Sequence, residues 1–382
     1  MAKLENLITG LLSIIFIVLL GLLIRVIQTR WRQPLGPSLA IPFELPSTWT
    51  PDPWSDAALL STPDNASTPY ALSTPDNLSK TVGKCGGISP MYILVVGSDS
   101  RGDNYLYGLA DVIRLVRVDF VNPKVTVLEF PRDMWVEIPD IADNLSGQDH
   151  EKLNQAYLYG NPGFGYSNDP AGGPGLLART LMLNFGTQID HYAAVNMRTF
   201  EKIINAVGGV DVTLPETVDG RTATDTNDRL LFLQGTHHLN GEQALTLARI
   251  RIKGTFSRAD NQDRVLCALR NKLINPEVIS DIPDLIQSFR GAVQTSLSLE
   301  ELSQLACLGT QLDQQNIILT SFPESLFESD RTYDPVFKKS VFTWDVDFDI
   351  LREYVQRFNS GNWPDAVITY EEQKEGEAFL CQ

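Results

Sequence analysis

Asp99, Asp111 and Arg132 each stand where a strand-like run ends or begins, and their types suit the handling of a phosphate and a hard cation. Met91 to Val96 is a buried-strand run that stops at Gly97-Ser98-Asp99-Ser100-Arg101. Asp111 to Phe120 alternates as a second strand, Val121-Asn122-Pro123-Lys124 is a turn, and Val125 to Phe130 is a third strand stopping at Pro131-Arg132-Asp133. If the second and third strands form a hairpin, Asp111 and Arg132 share an edge. If the first strand runs parallel to the third, Asp99 reaches that same rim, where loops on a rigid scaffold carry function. Taken singly, an Asp beside a strand is an ordinary turn or cap residue; the set gives it meaning.

Composition narrows the alternatives. The 382 residues carry 31 Lys+Arg against 47 Asp+Glu, a formal charge of -16 that repels polyanions, so no nucleic acid partner is expected. Four histidines and four cysteines contain no Cys-x-x-Cys and no His-x-x-x-His, which sets aside most zinc and haem sites. There is no Gly-x-x-x-x-Gly-Lys-Ser/Thr loop, and Gly160-Asn161-Pro162-Gly163-Phe164-Gly165 does not follow a strand. Chemistry here must use Asp, Arg, Lys and Gln.

The positioning elements form one layered α/β domain, a mixed central sheet flanked by helices, over residues 88–370. Short helices are expected from Lys152 and over Gly175 to Asn184. Strand-like Tyr192 to Val195 comes next, then an amphipathic helix over Thr199 to Val207 ended by Gly208-Gly209, and a strand over Val210 to Leu214. Asn240 is placed to cap a helix running to Arg249, and Ser257 one running to about Leu273. Residues 281–312 read as helical, Asn316 to Thr320 as a strand and Phe348 to Phe358 as a last helix.

Ahead of that domain, residues 1–6 are expected in the cytoplasm and 7–27 as an uncleaved transmembrane signal anchor. From Asn6 to Ile24 no residue is charged, enough to cross a hydrocarbon layer of roughly 30 Å. Residues 28–87 are expected as a disordered Pro/Ser/Thr-rich stalk in which Ser-Thr-Pro-Asp-Asn occurs twice, and 371–382 as a tail. Lys3 on one flank against Arg25, Arg30 and Arg32 on the other argues for a cytoplasmic domain; the stalk argues for an external one. Cys267 and Cys307 fall on neighbouring predicted helices and Cys85 and Cys381 bracket the domain. Those are the two pairings favoured among the three possible, and oxidised pairs would place the domain outside the cytoplasm.

Taken in order, these segments resemble the LytR-CpsA-Psr family of membrane-anchored cell-envelope proteins over about 88–325. The resemblance rests on Gly97 to Arg101, Ala110-Asp111, Pro131-Arg132-Asp133, Lys152-Leu153-Asn154-Gln155-Ala156-Tyr157 and Val207-Gly208-Gly209-Val210-Asp211-Val212. It continues through Leu239-Asn240-Gly241-Glu242-Gln243-Ala244-Leu245, Ala248-Arg249-Ile250-Arg251 and Arg258-x-x-x-Gln262. It implies a single-pass protein of the cell membrane with its domain outside. Its activity would be transfer of a glycopolymer from a polyprenyl-diphosphate carrier to peptidoglycan or another envelope acceptor, with Mg²⁺ on the diphosphate.

On that resemblance Asp99, Asp111 and Arg132 are catalytic, Asp99 and Asp111 hold Mg²⁺, and Arg101, Arg132, Lys152, Arg249, Arg251, Arg258 and Gln262 bind the diphosphate. Planar guanidinium forks and a divalent cation are what stabilise charge building on a leaving phosphate. The helices around Leu176 to Leu183 and Phe200 to Val207 are candidates to line an apolar cleft for the prenyl tail. Three positions depart from the family pattern: Leu109 and Asn261 where it has Arg, and Thr255 where it has Asp. The loss of two cations and an acid keeps a second reading open, a non-catalytic or regulatory protein that binds lipid-linked glycans.

Overall fold

The computed structural model describes residues 20–21, 25–26, 28–40, 80–100, 102, 105–251, 255–274, 289, 291–364 and 378–380. The expected anchor lies almost wholly outside these residues, as do positions 41–79 of the stalk, most of the tail, and Arg101. Among the described residues no helix is long and apolar enough to cross a membrane. Part of the expected stalk is docked: the Leu35 amide donates to the Leu297 carbonyl at 3.1 Å and Leu39 packs on the main core. Leu39 supplies an apolar contact that a stalk lacks, and Leu35 a backbone one.

In chain order the domain is built from β1 (Met91–Ser98), β2 (Ala110–Asp119), β3 (Lys124–Glu129), β4 (Trp135–Glu137), β5 (His150–Lys152), α1 (Leu153–Gly160) and α2 (Gly173–Phe185). Then come β6 (His191–Asn196), α3 (Met197–Ala206), β7 (Val210–Leu214), β8 (Gly235–Leu239), α4 (Gly241–Arg249) and α5 (Thr255–Leu273). The last are β9 (Gln294–Thr295), α6 (Leu299–Gln311), β10 (Ile317–Ser321), β11 (Glu328–Asp334), β12 (Lys339–Asp345), α7 (Phe348–Ser360) and β13 (Ala378–Leu380).

Seven of the strands form one sheet in the order β9-β6-β1-β2-β3-β10-β13. β2 is antiparallel to both β1 and β3, while β6 runs parallel to β1 and β10 parallel to β3. β1 and β3 are therefore parallel, and the end of β1, the start of β2 and the turn after β3 meet at one rim, as the hairpin argument expects.

Both faces are covered, which is why β1 reads as a continuous apolar run rather than an alternating one. On one face Leu94, Leu115, Leu128 and Phe130 pack with Tyr157 of α1, Leu176 and Leu181 of α2, and Leu351 and Val355 of α7, all essentially without exposure. On the other, Met91, Ile93, Val118 and Phe120 pack on Leu308 of α6, and Val127 and Leu319 on Cys267 of α5. Each such aliphatic side chain contributes about 1.5–3 kcal/mol by leaving water. A satellite core of Ile204, Val212, Leu239, Leu247 and Val265 joins α3, β7, β8, α4 and α5, and holds the end of α4 beside α5.

Several expectations are corrected here. Of the helix read over 281–312, residues 281–288 and 290 lie outside the described residues; Gln294–Thr295 is sheet edge β9, and a helix begins at Leu299, where Ser298 and Glu301 form a capping box. α5 begins at Thr255, before Ser257. Lys152 closes β5 and caps α1 rather than opening it. The helices proposed to line a cleft spend Leu176, Leu177, Leu181 and Ile204 on the cores. Cys85 is bonded to Cys307, with 5.9 Å between their Cα atoms, so neither favoured pairing holds. The turn Lys84–Gly86 lies against α6, whereas Cys267 faces β3 and β10 and is itself disulfide-bonded. The hairpin β11–β12 was not foreseen at all.

Candidate functional site

Backbone pairing brings the two acids together. The Asp99 amide donates to the Leu109 carbonyl at 3.0 Å, and the Leu109 amide returns a bond to Asp99 Oδ1 at 2.7 Å, closing the loop between β1 and β2. Next to it the register jumps: Gly97 faces Val112 and Ser98 faces Ala110, which leaves Asp111 as the extra residue. A bulge frees a residue from the strict alternation of its strand and re-aims its side chain. Asp111 uses that freedom to pair with Arg132 Nη1 from the turn after β3.

Arg132 is held in turn by the chain around it. Its carbonyl accepts from the Asn154 amide at 3.1 Å, and the Leu153 amide donates to the Met134 carbonyl at 2.9 Å, so the start of α1 is stitched to the Pro131-Arg132-Asp133 turn. Asp133, buried, is the hub: Oδ2 accepts from Arg132 Nε at 3.3 Å and Oδ1 from Lys152 Nζ at 2.9 Å. The sequence motif gives Asp133 no role of its own; in the structure it orients both cations.

α5 supplies the third cation. Arg258 is 3% exposed, its Nη2 donates to the Asp111 main-chain carbonyl at 3.2 Å, and its Nε has no hydrogen-bond partner. Burial, and the like charges of Arg132 and Arg251, push its pKa down to about 10. Arg132 is lowered as well, first by burial; Asp133 and Asp99 oppose the shift and Arg251 adds to it. Arg132, Arg251 and Arg258 are thus close enough to repel one another, with Asp99 and Asp111 beside them. Such a cluster is satisfied by an incoming polyanion.

Below this cluster lies a network that sequence reasoning missed. Arg114 of β2, 2% exposed, pairs with Glu129 of β3 at 2.8 Å and with Asp263 of α5. Gln262 belongs to this network: Oε1 accepts from Arg114 Nη2 at 3.4 Å and Nε2 donates to the Ala248 carbonyl at 3.2 Å. It anchors the end of α4 to α5 and thereby positions Arg251. Arg249 is exposed in the last turn of α4, where its charge complements the helix dipole, and it is not among the groups acting most strongly on Arg132 and Arg258. Of the departures, half-buried Leu109 serves through its backbone, and Asn261 Oδ1 accepts from Arg264 at 3.3 Å.

The donor set suits a shared cation rather than a caged one. Among the described residues no group of three or more His, Cys, Asp or Glu side chains gathers to enclose a metal. Asp99 and Asp111 each commit one oxygen, to the Leu109 amide and to Arg132, and retain the other. Two carboxylates plus substrate phosphates is how Mg²⁺ is commonly held.

A model of the LytR_cpsA_psr family matches residues 65–343. The chain is 30% identical over 215 residues to the polyisoprenyl-teichoic acid--peptidoglycan teichoic acid transferase TagV of Bacillus subtilis (strain 168), covering 56% of this chain and 51% of that protein. It is also 30% identical over 209 residues to the regulatory protein MsrR of Staphylococcus aureus (strain COL), covering 54% of this chain and 56% of that one. The chain thus spans about half the length of these curated relatives. The crystal structure of B. subtilis TagV superposes with a TM-score of 0.53 at 25% identity, over 70% of this chain and 96% of that one.

Proposed function

Because the chain belongs to the LytR_cpsA_psr family, we propose that it transfers a glycopolymer from a polyprenyl-diphosphate carrier to peptidoglycan or another cell-envelope acceptor. The observation that carries this reading is the buried Arg258, with an unsatisfied Nε, within electrostatic reach of two further guanidiniums at the rim that holds Asp99 and Asp111. A diphosphate would relieve both the repulsion and the missing hydrogen bond.

In the reaction an acceptor hydroxyl attacks the glycan-bearing phosphorus and gives up its proton to water, the P–O bond to the second phosphate breaks, and prenyl monophosphate leaves. Arg132, Arg251 and Arg258 stabilise the charge that builds on the departing phosphate. Lys152 and Arg132, both oriented by Asp133, fix the diphosphate without reorganisation at the moment of transfer. Asp99 and Asp111 would hold Mg²⁺, which when bound supplies charge neutralisation on the phosphates. The oxidised Cys85–Cys307 pair supports a location outside the cytoplasm, with the chain anchored through residues 7–27 as a single-pass membrane protein.

The second reading, binding without turnover, is favoured by Leu109, Thr255 and Asn261, which remove family charges, and by a relative described as regulatory. The full chain given a polyprenyl-diphosphate glycan, Mg²⁺ and an acceptor separates the two. Release of prenyl monophosphate supports transfer; tight binding with none released supports the second reading and refutes the first.

A further inference from the structure

We propose that the tip of the β11–β12 hairpin docks on the surface of an anionic lipid bilayer. Residues 335–340, the turn between the strands and the first two residues of β12, are all exposed, and they carry Val336, Phe337, Lys338 and Lys339. The flanking strands add Tyr333, 60% exposed, and Arg331; Phe337 itself is 51% exposed. Aromatic rings interleaved with basic side chains are the composition of the membrane interface, where rings sit at headgroup depth and Lys or Arg heads reach anionic lipid.

Charge complementarity selects the occupant. In a chain of net charge -16, the tip at Pro335–Ser340 carries Lys338 and Lys339 and no acid; over the hairpin from Glu328 to Asp345 three basic residues stand against four acids, so the positive charge is confined to the tip. Each basic residue near an anionic surface raises residence there roughly five-fold. Lys339 lies over the Phe337 ring at 5.4 Å, which keeps ring and charge on one side of the turn.

The tip is preshaped. Asp334 is 1% exposed and its Oδ1 accepts from the Val336 and Phe337 amides, both at 2.9 Å, so the apolar residues are presented at little ordering cost. At its other end the hairpin touches the candidate site: the Trp344 amide donates to the Asp133 carbonyl at 3.1 Å, and Lys152 Nζ lies 6.0 Å from the Phe342 ring centre. Seven paired positions span roughly 20 Å. The hairpin would fix how far the Arg132 rim stands from the bilayer that supplies the prenyl carrier. That purpose rests on the function proposed above; the contact itself does not, and its test reads lipid depth rather than turnover.

The test uses the full chain in vesicles of phosphatidylcholine with or without phosphatidylglycerol, carrying a nitroxide at Ser340→Cys or, as control, at Asp228→Cys, where the side chain is 87% exposed. With phosphatidylglycerol present, the Ser340 label should become more accessible to oxygen than to an aqueous nickel chelate, and the Asp228 label should not. Lys338→Glu with Lys339→Glu should reduce the lipid-bound fraction of the tip by more than about tenfold. A Ser340 label that stays as water-accessible as the control would overturn the proposal. So would shielding from the chelate without a gain in oxygen access, since that marks a protein or glycan cover instead of lipid.

Discussion

Arg258 Nη2 meets the main-chain carbonyl of Asp111 at 3.2 Å, although 147 residues separate them. The bond ties α5 to the bulge in β2, so the guanidinium proposed to meet phosphate and the residue whose carboxylate lies beside it are placed by one contact. Substitution of Arg258 therefore reads on the geometry of both, whereas a change of the Asp111 side chain leaves this bond in place.

Asp111→Asn keeps the side chain's shape and its capacity to accept from Arg132 but removes its charge. Loss of a preorganised electrostatic contact of this kind lowers turnover by about 10² to 10³. The rate of prenyl monophosphate release from a lipid-linked glycan, with thermal stability measured alongside, checks it.

Arg114→Met leaves Glu129 and Asp263 buried without their cation. Breaking a buried pair in this way costs about 3–5 kcal/mol, measurable by urea unfolding of the domain. The same change frees Gln262, so the end of α4 and Arg251 should show faster amide exchange than β1.

Glu151 of β5 has no exposure, and burial first, with Asp334 next, pushes its pKa up to about 8. Lys152 acts in the opposite sense, and Gln155 Nε2 lies 3.5 Å from Oε2. A folded-state pKa above the unfolded value means the folded chain binds the extra proton, so this group's stabilisation is full below the ordinary Glu range and falls away as pH rises to about 8. The melting temperature should drop between about pH 4.5 and pH 8, and Glu151→Gln should flatten that slope. Loosening at high pH should begin in β11–β12, where Asp334 meets Glu151; hydrogen exchange locates it.

Cys85→Ser with Cys307→Ser removes a link across 222 positions of chain. Closing so long a loop stabilises by about 2–4 kcal/mol, and the melting temperature without reductant should fall accordingly. Reductant should then lower it less in this variant than in the native protein.

What the sequence made legible follows a physical division. Asp99, Asp111 and Arg132 could be brought to one rim because hairpin pairing and strand direction place chain ends without any knowledge of side-chain packing. Arg114 was hidden because an arginine inside an alternating strand looks solvent-facing until its partner is known, and Asp263 lies 149 residues away. Gln262 matched a motif, yet a motif cannot tell a hand on substrate from a brace between helices. The β11–β12 hairpin escaped notice because both its strands are largely polar, so alternation gave no signal; its apolar residues gather at the tip. The cysteine pairing failed because helix neighbours on paper face different ways around the sheet.

Arg132, Arg251 and Arg258 are together proposed to receive a prenyl diphosphate. Arg251 is exposed, so Arg251→Gln can be made without unfolding the domain. Titration calorimetry of a short-chain prenyl diphosphate against the native protein and this variant tests the claim most directly. Removal of one charged contact worth about 1.5–3 kcal/mol should weaken binding roughly ten- to hundred-fold. Equal affinity in the two proteins would contradict the account.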